Sequence, residues 1–321
     1  MADLPKNQHY VPQFLLRGFV ANKTEERIFV FDKPQERIFC TSIRNVAAET
    51  GFYNYTDTLG LNSVEPHLAS LEANCATIIK RINDEESLDS LTHEERCGIA
   101  VFTAIQSLRV KQMRLAIEAL NNAIRKNIIS AGGDPATTSG FEDLDANGIK
   151  KASIHNLSIA KELVPHILRK AWLLLRAPSS HPFYLSDNPV ALNSSIPQSG
   201  LGGIGFGSYG VEIYLPISSR LVIVFLCDKL AAQIASHVEN AKMLEQKLGI
   251  TIPTQYIDQI AGSICTGCPI DIAQENVDQI NSLQVGSSTR FVFSSSEMFS
   301  VAKEMLKLNP DAKRSTAFRV T

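Results

Sequence analysis

The spacing of apolar residues switches twice along this chain, from alternation to helical periodicity and back. Arg27–Asp32 (RIFVFD) and Glu36–Cys40 (ERIFC) read as strands, with Lys33-Pro34-Gln35 between them. Two such runs joined by a short turn predict a β-hairpin. Asn45 to Tyr55 reads as loop or short helix running into a strand at Phe52-Tyr53. From Val64 to Ile82, residues Leu68, Leu71, Cys75, Ile78 and Ile82 recur at the spacing of one helical face. Thr92 with Glu95 three positions on is a capping box. The helix it opens is expected to reach about Ile129. Ile99, Val101, Phe102, Ile105, Leu108, Met113, Ile117 and Leu120 fall on more than one side of it, which predicts burial of its first half. The polar stretch from Gly132 to Gly148 predicts a surface loop. A third long helix is expected over Ala152–Arg176, bent or split at Pro165.

The last third returns to strands. Phe183-Tyr184-Leu185 leads into a Ser186-Asp187-Asn188-Pro189 turn, and Val211–Leu215 alternates as a half-buried strand does. Leu221–Cys227 is apolar throughout, the mark of a fully buried strand. Gln255–Ile264 and Ile272–Leu283 read as helices, and Thr289–Phe293 as a last strand. Strands early and late with helices between predict an α+β fold. We expect one domain over residues 1–321, with a helical middle at about 63–176. Strand-rich regions at 22–55 and 182–294 would then meet in one mainly antiparallel sheet.

Composition narrows the function classes. The chain has 321 residues, 44% hydrophobic and 20% charged, an ordinary globular balance that argues against disorder. A net charge of -2 excludes binding nucleic acid through overall charge, so such contact would need a local basic patch. Lys150-Lys151 and Lys313-Arg314 are the modest candidates. Met1–Lys6 holds no apolar core of signal-peptide type, and the Leu221–Cys227 run is too short to span a bilayer. A cytoplasmic protein with no membrane partner is expected, as a homo-oligomer or beside a partner protein.

Two formal motifs lose to plainer readings. Cys265-Thr266-Gly267-Cys268 has no second ligand pair for a zinc ribbon, and a helix rather than a strand precedes it. Buried, unreactive cysteines are the expectation. Gly200-Leu201-Gly202-Gly203-Ile204-Gly205 matches a dinucleotide fingerprint by letter, but a strand follows it where a helix N-terminus is needed. It reads as a glycine-rich loop.

The polar residues placed among apolar ones are more informative. In the run Asn7 to Phe19, Pro12 is expected in the first turn of a helix anchored by Leu15, Leu16 and Phe19. His9 and Tyr10 then stand just before it, with Asn7 and Gln13 nearby. A histidine there suits a general base, a metal ligand or a phosphate contact, and equally a buried ring bonded to a carbonyl. Glu65 and Glu72 lie on similar sides of the first central helix, about 10 Å apart along its axis. That is too far to grip one ion together. Gln106 and Arg109 interrupt an otherwise apolar face, and a buried guanidinium must be paired. Glu72, Glu49 or Asp187 are the expected partners. Asp187 and Asn188, before Pro189, read as turn formers or as a strand-end site.

The run Asn7-x-His9-Tyr10-Val11-Pro12 resembles the opening of the domain-of-unknown-function family numbered 4238. Asn45–Glu49 with Phe52-Tyr53, the pair Glu65 and Glu72, and Gln106–Arg109 with Arg114 are similar to its later blocks. So are Phe183–Val190, Leu215–Ser218, and Asn281 and Gln284 before Arg290–Phe293. Two positions depart from the family pattern: Leu15 where an aromatic is frequent, and Lys111 where proline is. Neither is expected to touch a candidate catalytic group. The family is mostly bacterial and uncharacterised, so the resemblance implies residues without implying a reaction.

Two functional readings stay open. The first is a metal-dependent hydrolase of nucleic acid, of a bacterial defence or toxin type. His9, Gln106, Arg109 and Asp187 would be its catalytic groups, with Glu49, Glu72 and Asp187 holding Mg²⁺ or Mn²⁺. The second is a non-catalytic binding protein in which the same polar cluster fixes the fold.

Overall fold

A computed structural model describes residues 7–58, 60–197, 205–249 and 251–313. The chain opens with a short strand β1 (Asn7–His9) and a single-turn helix α1 (Gln13–Arg17). Pro12 is the N-cap of α1, one place earlier than expected, with extended backbone at ψ 146°. The hairpin forms as predicted: β2 (Arg27–Asp32) pairs antiparallel with β3 (Arg37–Ser42) across a 3-10 turn at Lys33–Gln35. Next come β4 (Ala48–Thr50), β5 (Asn54–Asp57) and β6 (Gly60–Ser63). The strand expected at Phe52-Tyr53 is instead a turn, with β5 starting just after it.

Helix α2 (Glu65–Glu85) buries Leu68, Cys75, Ile78 and Ile82 from the predicted stripe. Helix α3 (His93–Leu108) begins at the Thr92 capping box. It does not run on to Ile129. The chain breaks at Arg109–Val110 and restarts as α4 (Lys111–Ser130), because Val110 is extended at ψ 156°. Apolar periodicity carries through this break, and no glycine or proline marks it, so the sequence pattern does not reveal it.

The third long helix is also corrected. The segment divides into α5 (Ala146–His155), a 3-10 stretch at Asn156–Ile159, α6 (Ala160–Leu168) and the strand β7 (Ala171–Arg176). Pro165 sits inside α6. Residues 171–176 (AWLLLR) are flanked by strands on both sides, and their apolar run lacks the alternation that would separate strand from helix. The helical middle therefore ends near residue 168.

The remaining elements are β8 (Leu185–Ser186), β9 (Ala191–Ser194), β10 (Val211–Pro216) and β11 (Leu221–Leu226), then α7 (Asp228–Leu248) and α8 (Gln255–Thr266). The described chain closes with β12 (Ile270–Asp271), α9 (Gln274–Ser287), β13 (Phe291–Ser294) and α10 (Ser300–Leu308). The fold is α+β with mainly antiparallel sheets. The strands form two main sheets rather than one. The N- and C-terminal strands do meet, in the order β3-β2-β13-β8, while β12-β7-β11-β10-β9 form a second sheet. In it only the β12–β7 pair is parallel. Of two small ribbons, β1-β4 and β5-β6, the first brings the opening run against residues 48–50.

Burial follows from this layout. Leu15, Leu16 and Phe19 are fully buried in one cluster with α2, α3 and the five-stranded sheet. All six residues of β11 are buried, as its composition predicts. Gly18 lies against the β10–β11 turn, where its carbonyl accepts a hydrogen bond from Ser219 N at 2.8 Å. A Cβ at this position would stand 2.4 Å from the Ile217 carbonyl oxygen, so only glycine permits that approach. No described helix is long and apolar enough to cross a membrane.

Candidate functional site

Two polar clusters meet at Tyr10. The first is buried beneath the opening run. Gln106 Nε2 donates to the Tyr10 carbonyl at 2.9 Å, and Gln106 Oε1 accepts from Arg109 Nε at 2.7 Å. Arg109 Nη1 donates to Glu72 Oε1 at 2.7 Å. Of the three carboxylates expected as partners for Arg109, the fold selects Glu72. Helix α2, which carries that carboxylate, packs against α3, and Arg109 stands at the C-terminal end of α3.

His9 belongs to the same cluster. Burial pulls its pKa below the ordinary 6.5, and the Arg109 charge adds to this. A hydrogen bond to the Ile43 carbonyl and the Glu72 charge oppose the shift. The ring is therefore held neutral near pH 7, and its buried Nε2 has no protein partner among the described residues. This geometry is that of a carbonyl-bonded histidine within the structure. Burial and Glu72 raise the pKa of Glu65, while Arg109 lowers it. Burial also pushes the Cys75 thiol up to about 12, so that cysteine is unreactive.

The second cluster is open to solvent. A cavity of about 580 Å³ is lined by Tyr10, Asn45, Glu49, Lys111, Asp187, Arg290 and Lys313, among others. Asp187 is buried at its floor. Its carboxylate accepts three backbone hydrogen bonds, from Thr289 N at 2.7 Å, Arg290 N at 2.8 Å and Phe291 N at 2.9 Å. Burial raises its pKa against the pull of those three amides and of Lys33. Arg290 grips the buried Asp32 with two bonds, 3.0 and 2.8 Å long. Lys111 forms an ion pair with Glu49, and Lys313 pairs with Glu36.

The sequence of residues 7–298 matches the family described as protein of unknown function, DUF4238. The chain belongs to this family. No curated protein and no solved structure matches it.

Within this family member, the predicted residues divide. His9, Glu72, Gln106 and Arg109 come together in the buried cluster, whereas Asp187, expected beside His9 and Arg109, lines the neighbouring cavity with Glu49. Asn188 lies beside Asp187 and donates to Gln112 Oε1 and, at 3.2 Å, to the Ser287 carbonyl. Asn7 is exposed and donates to the Arg44 carbonyl at 3.1 Å. Gln13 opens α1 half-buried, and Glu65 opens α2. Glu49, Glu72 and Asp187 do not converge, and among the described residues no group of three His, Cys, Asp or Glu side chains is placed to hold a metal ion.

Two expectations about individual residues are corrected, those on Lys111 and on the cysteine pair. Lys111, a departure from the family pattern, does touch a candidate residue, because α4 starts beside β4 and brings Nζ to Glu49. Lys150 is partly engaged, donating to the Gly51 carbonyl at 3.2 Å, while Arg314 lies outside the described residues. Cys265 and Cys268 are exposed rather than buried. Helix α8 turns Ile260 and Ile264 toward the core and leaves its C-terminal end at the surface. In the glycine-rich motif, Gly200–Ile204 also lie outside the described residues.

Sequence reasoning missed Gln8, Asp32, Lys33 and Arg290. Gln8 is fully buried, accepting from Tyr53 N at 2.6 Å and donating to Asn54 Oδ1 at 2.8 Å. Lys33 Nζ caps the end of α9 through the carbonyls of Val285 and Ser288, at 3.0 and 2.6 Å. A charged pair directly after the apolar run of β2 was the available signal for Asp32 and Lys33.

Proposed function

We infer that this protein is a non-catalytic binding protein that takes an anionic, phosphate-bearing ligand into the Tyr10–Arg290 cavity. One observation carries the reading. Lys111, Arg290 and Lys313 all line the cavity, while the paired carboxylates Asp32 and Glu36 do not. Asp187, which does line it, has its charge offset by three amides. Glu49, paired with Lys111, is the other lining carboxylate, so three cations stand against two acids, and the volume is in the range of small-ligand sites, about 300–1,000 Å³. The His9–Gln106–Arg109–Glu72 cluster then serves as a support that holds the Tyr10 backbone.

The test is fluorescence titration of the full chain with a labelled nucleoside monophosphate and with short DNA and RNA strands. Binding that weakens with salt and drops at least about tenfold in Lys111→Ala and Arg290→Ala supports the reading. Binding unchanged in both variants overturns it.

A second reading, a hydrolase of phosphodiester bonds using Mg²⁺ or Mn²⁺, is favoured by one fact: Glu49 and Asp187 line the same cavity. Mg²⁺ is commonly held by only one or two carboxylates together with substrate phosphates, so two acids suffice in principle. A bound ion would supply charge neutralisation at the phosphate. Cleavage of DNA or RNA that needs the metal and is lost in Glu49→Gln and Asp187→Asn supports it. Absence of cleavage, or cleavage intact in those variants, removes it.

A further inference from the structure

On the far side of the five-stranded sheet, beneath α7 and α8, lies a second cavity of about 350 Å³. Its construction follows from strand alternation. On β10, Val211, Ile213 and Leu215 face the main core, and Glu212 and Tyr214 face the opposite way. The register places Tyr214 beside Val224 of β11, and Val224 beside Leu173 of β7. These residues and Leu226 make an apolar floor, and Leu230, Ile234 and Ile260 of the two helices make the walls.

One carboxylate stands in this apolar space. Glu212 Oε2 accepts from the Tyr214 hydroxyl at 2.6 Å, and Oε1 accepts from the Ser195 hydroxyl. Both donors are neutral, and no cation pairs with Glu212 among the described residues. Lys170 is close enough to feel its charge, but Lys170 Nζ donates to the Val211 carbonyl at 2.6 Å. Glu212 is therefore a pre-oriented anion at the edge of an apolar cleft, with each oxygen keeping lone-pair capacity for a further donor. His237, Gln233 and Tyr256 also line it.

We propose that this cavity binds an amphipathic amine, with the ammonium on Glu212 and the hydrocarbon body on the floor of β7 and β11. The class follows from complementarity. The apolar floor favours a hydrocarbon, and the unpaired carboxylate favours a cationic donor and repels an acid. The site is on the opposite side of the sheet from the main core and shares no lining residue with the Tyr10–Arg290 cavity, so neither reading depends on the other.

Three probes of equal chain length test it: octylamine, octanol and octanoate, titrated into the full chain by calorimetry at roughly pH 8, above the ordinary histidine range. Octylamine is expected to bind at least about tenfold more tightly than octanol, and octanoate more weakly than either. Glu212→Gln should erase the difference between amine and alcohol, and Ile234→Trp should weaken both by filling the space. No binding of octylamine, equal binding of the three probes, or amine preference kept in Glu212→Gln overturns the proposal. The unaltered chain decides the head-group preference even where a variant does not fold.

Discussion

Arg109 and Glu72, 37 positions apart, form an ion pair in which the guanidinium side chain is 1% exposed and the carboxylate 26%. The asymmetry sets the cost of breaking it. Removing Glu72 leaves a buried guanidinium without its bonded carboxylate, with Glu65 as the remaining acid that acts on it, and breaking such a buried pair costs about 3–5 kcal/mol. Removing Arg109 leaves a carboxylate that water can reach. Glu72→Ala should therefore lower stability more through charge than its side chain's burial implies. Glu72→Ala combined with Arg109→Leu should recover part of the loss. Denaturant unfolding of the two single variants and the double variant checks this, and strictly additive losses would argue against a coupled pair.

Asp187 joins the Ser186–Asn188 turn to the start of β13 through three backbone amides. Asparagine in its place keeps one acceptor oxygen and points an amide group at donors. Asp187→Asn should cost about 2–4 kcal/mol, read as a lowered urea midpoint with an unchanged slope. A variant as stable as the parent would remove Asp187 from the framework.

The Lys111–Glu49 pair is different, because the two side chains are 40% and 38% exposed. Exposed ion pairs contribute about 0–1 kcal/mol. Lys111→Ala should leave the melting temperature nearly unchanged while weakening anion binding in the cavity. A large thermal loss would show that the pair holds the fold instead.

His9 makes stability depend on pH. Its folded pKa lies below the ordinary 6.5, so the unfolded chain binds a proton first as the medium is acidified. The His9 contribution is thus complete above about pH 6.5 and declines as pH falls toward the folded value. Melting temperatures measured from about pH 7.5 down to pH 5.5 should fall less steeply for His9→Gln than for the parent. Parallel curves would mean that His9 does not titrate as described.

Gly18 supplies a steric test. A methyl group there meets the Ile217 carbonyl oxygen at 2.4 Å and Ser218 Cα at 2.9 Å, both of them backbone atoms rather than the end of a flexible side chain. Gly18→Ala should destabilise the chain by about 1–3 kcal/mol, the usual range for overpacking. Circular dichroism melts would detect it, and a neutral result would mean that the β10–β11 turn yields.

The sequence alone determined the elements whose signals are local. The capping box at Thr92, the β2–β3 hairpin, the stripe on α2 and the buried strand β11 each follow from spacing between near neighbours, where backbone geometry links residues directly. It also flagged Gln106 and Arg109, because polar groups on an apolar face require partners. Only the tertiary structure decided which partners those were. Glu49, Glu72 and Asp187 were equal candidates for Arg109 by residue type, and packing brought Glu72 to Arg109 and Glu49 to Lys111. The identity of β7 was decided the same way, since an apolar run satisfies a helix or a strand until its neighbours supply hydrogen bonds. Pairing depends on distances between elements, and those distances are set by packing of the whole chain rather than by spacing along it.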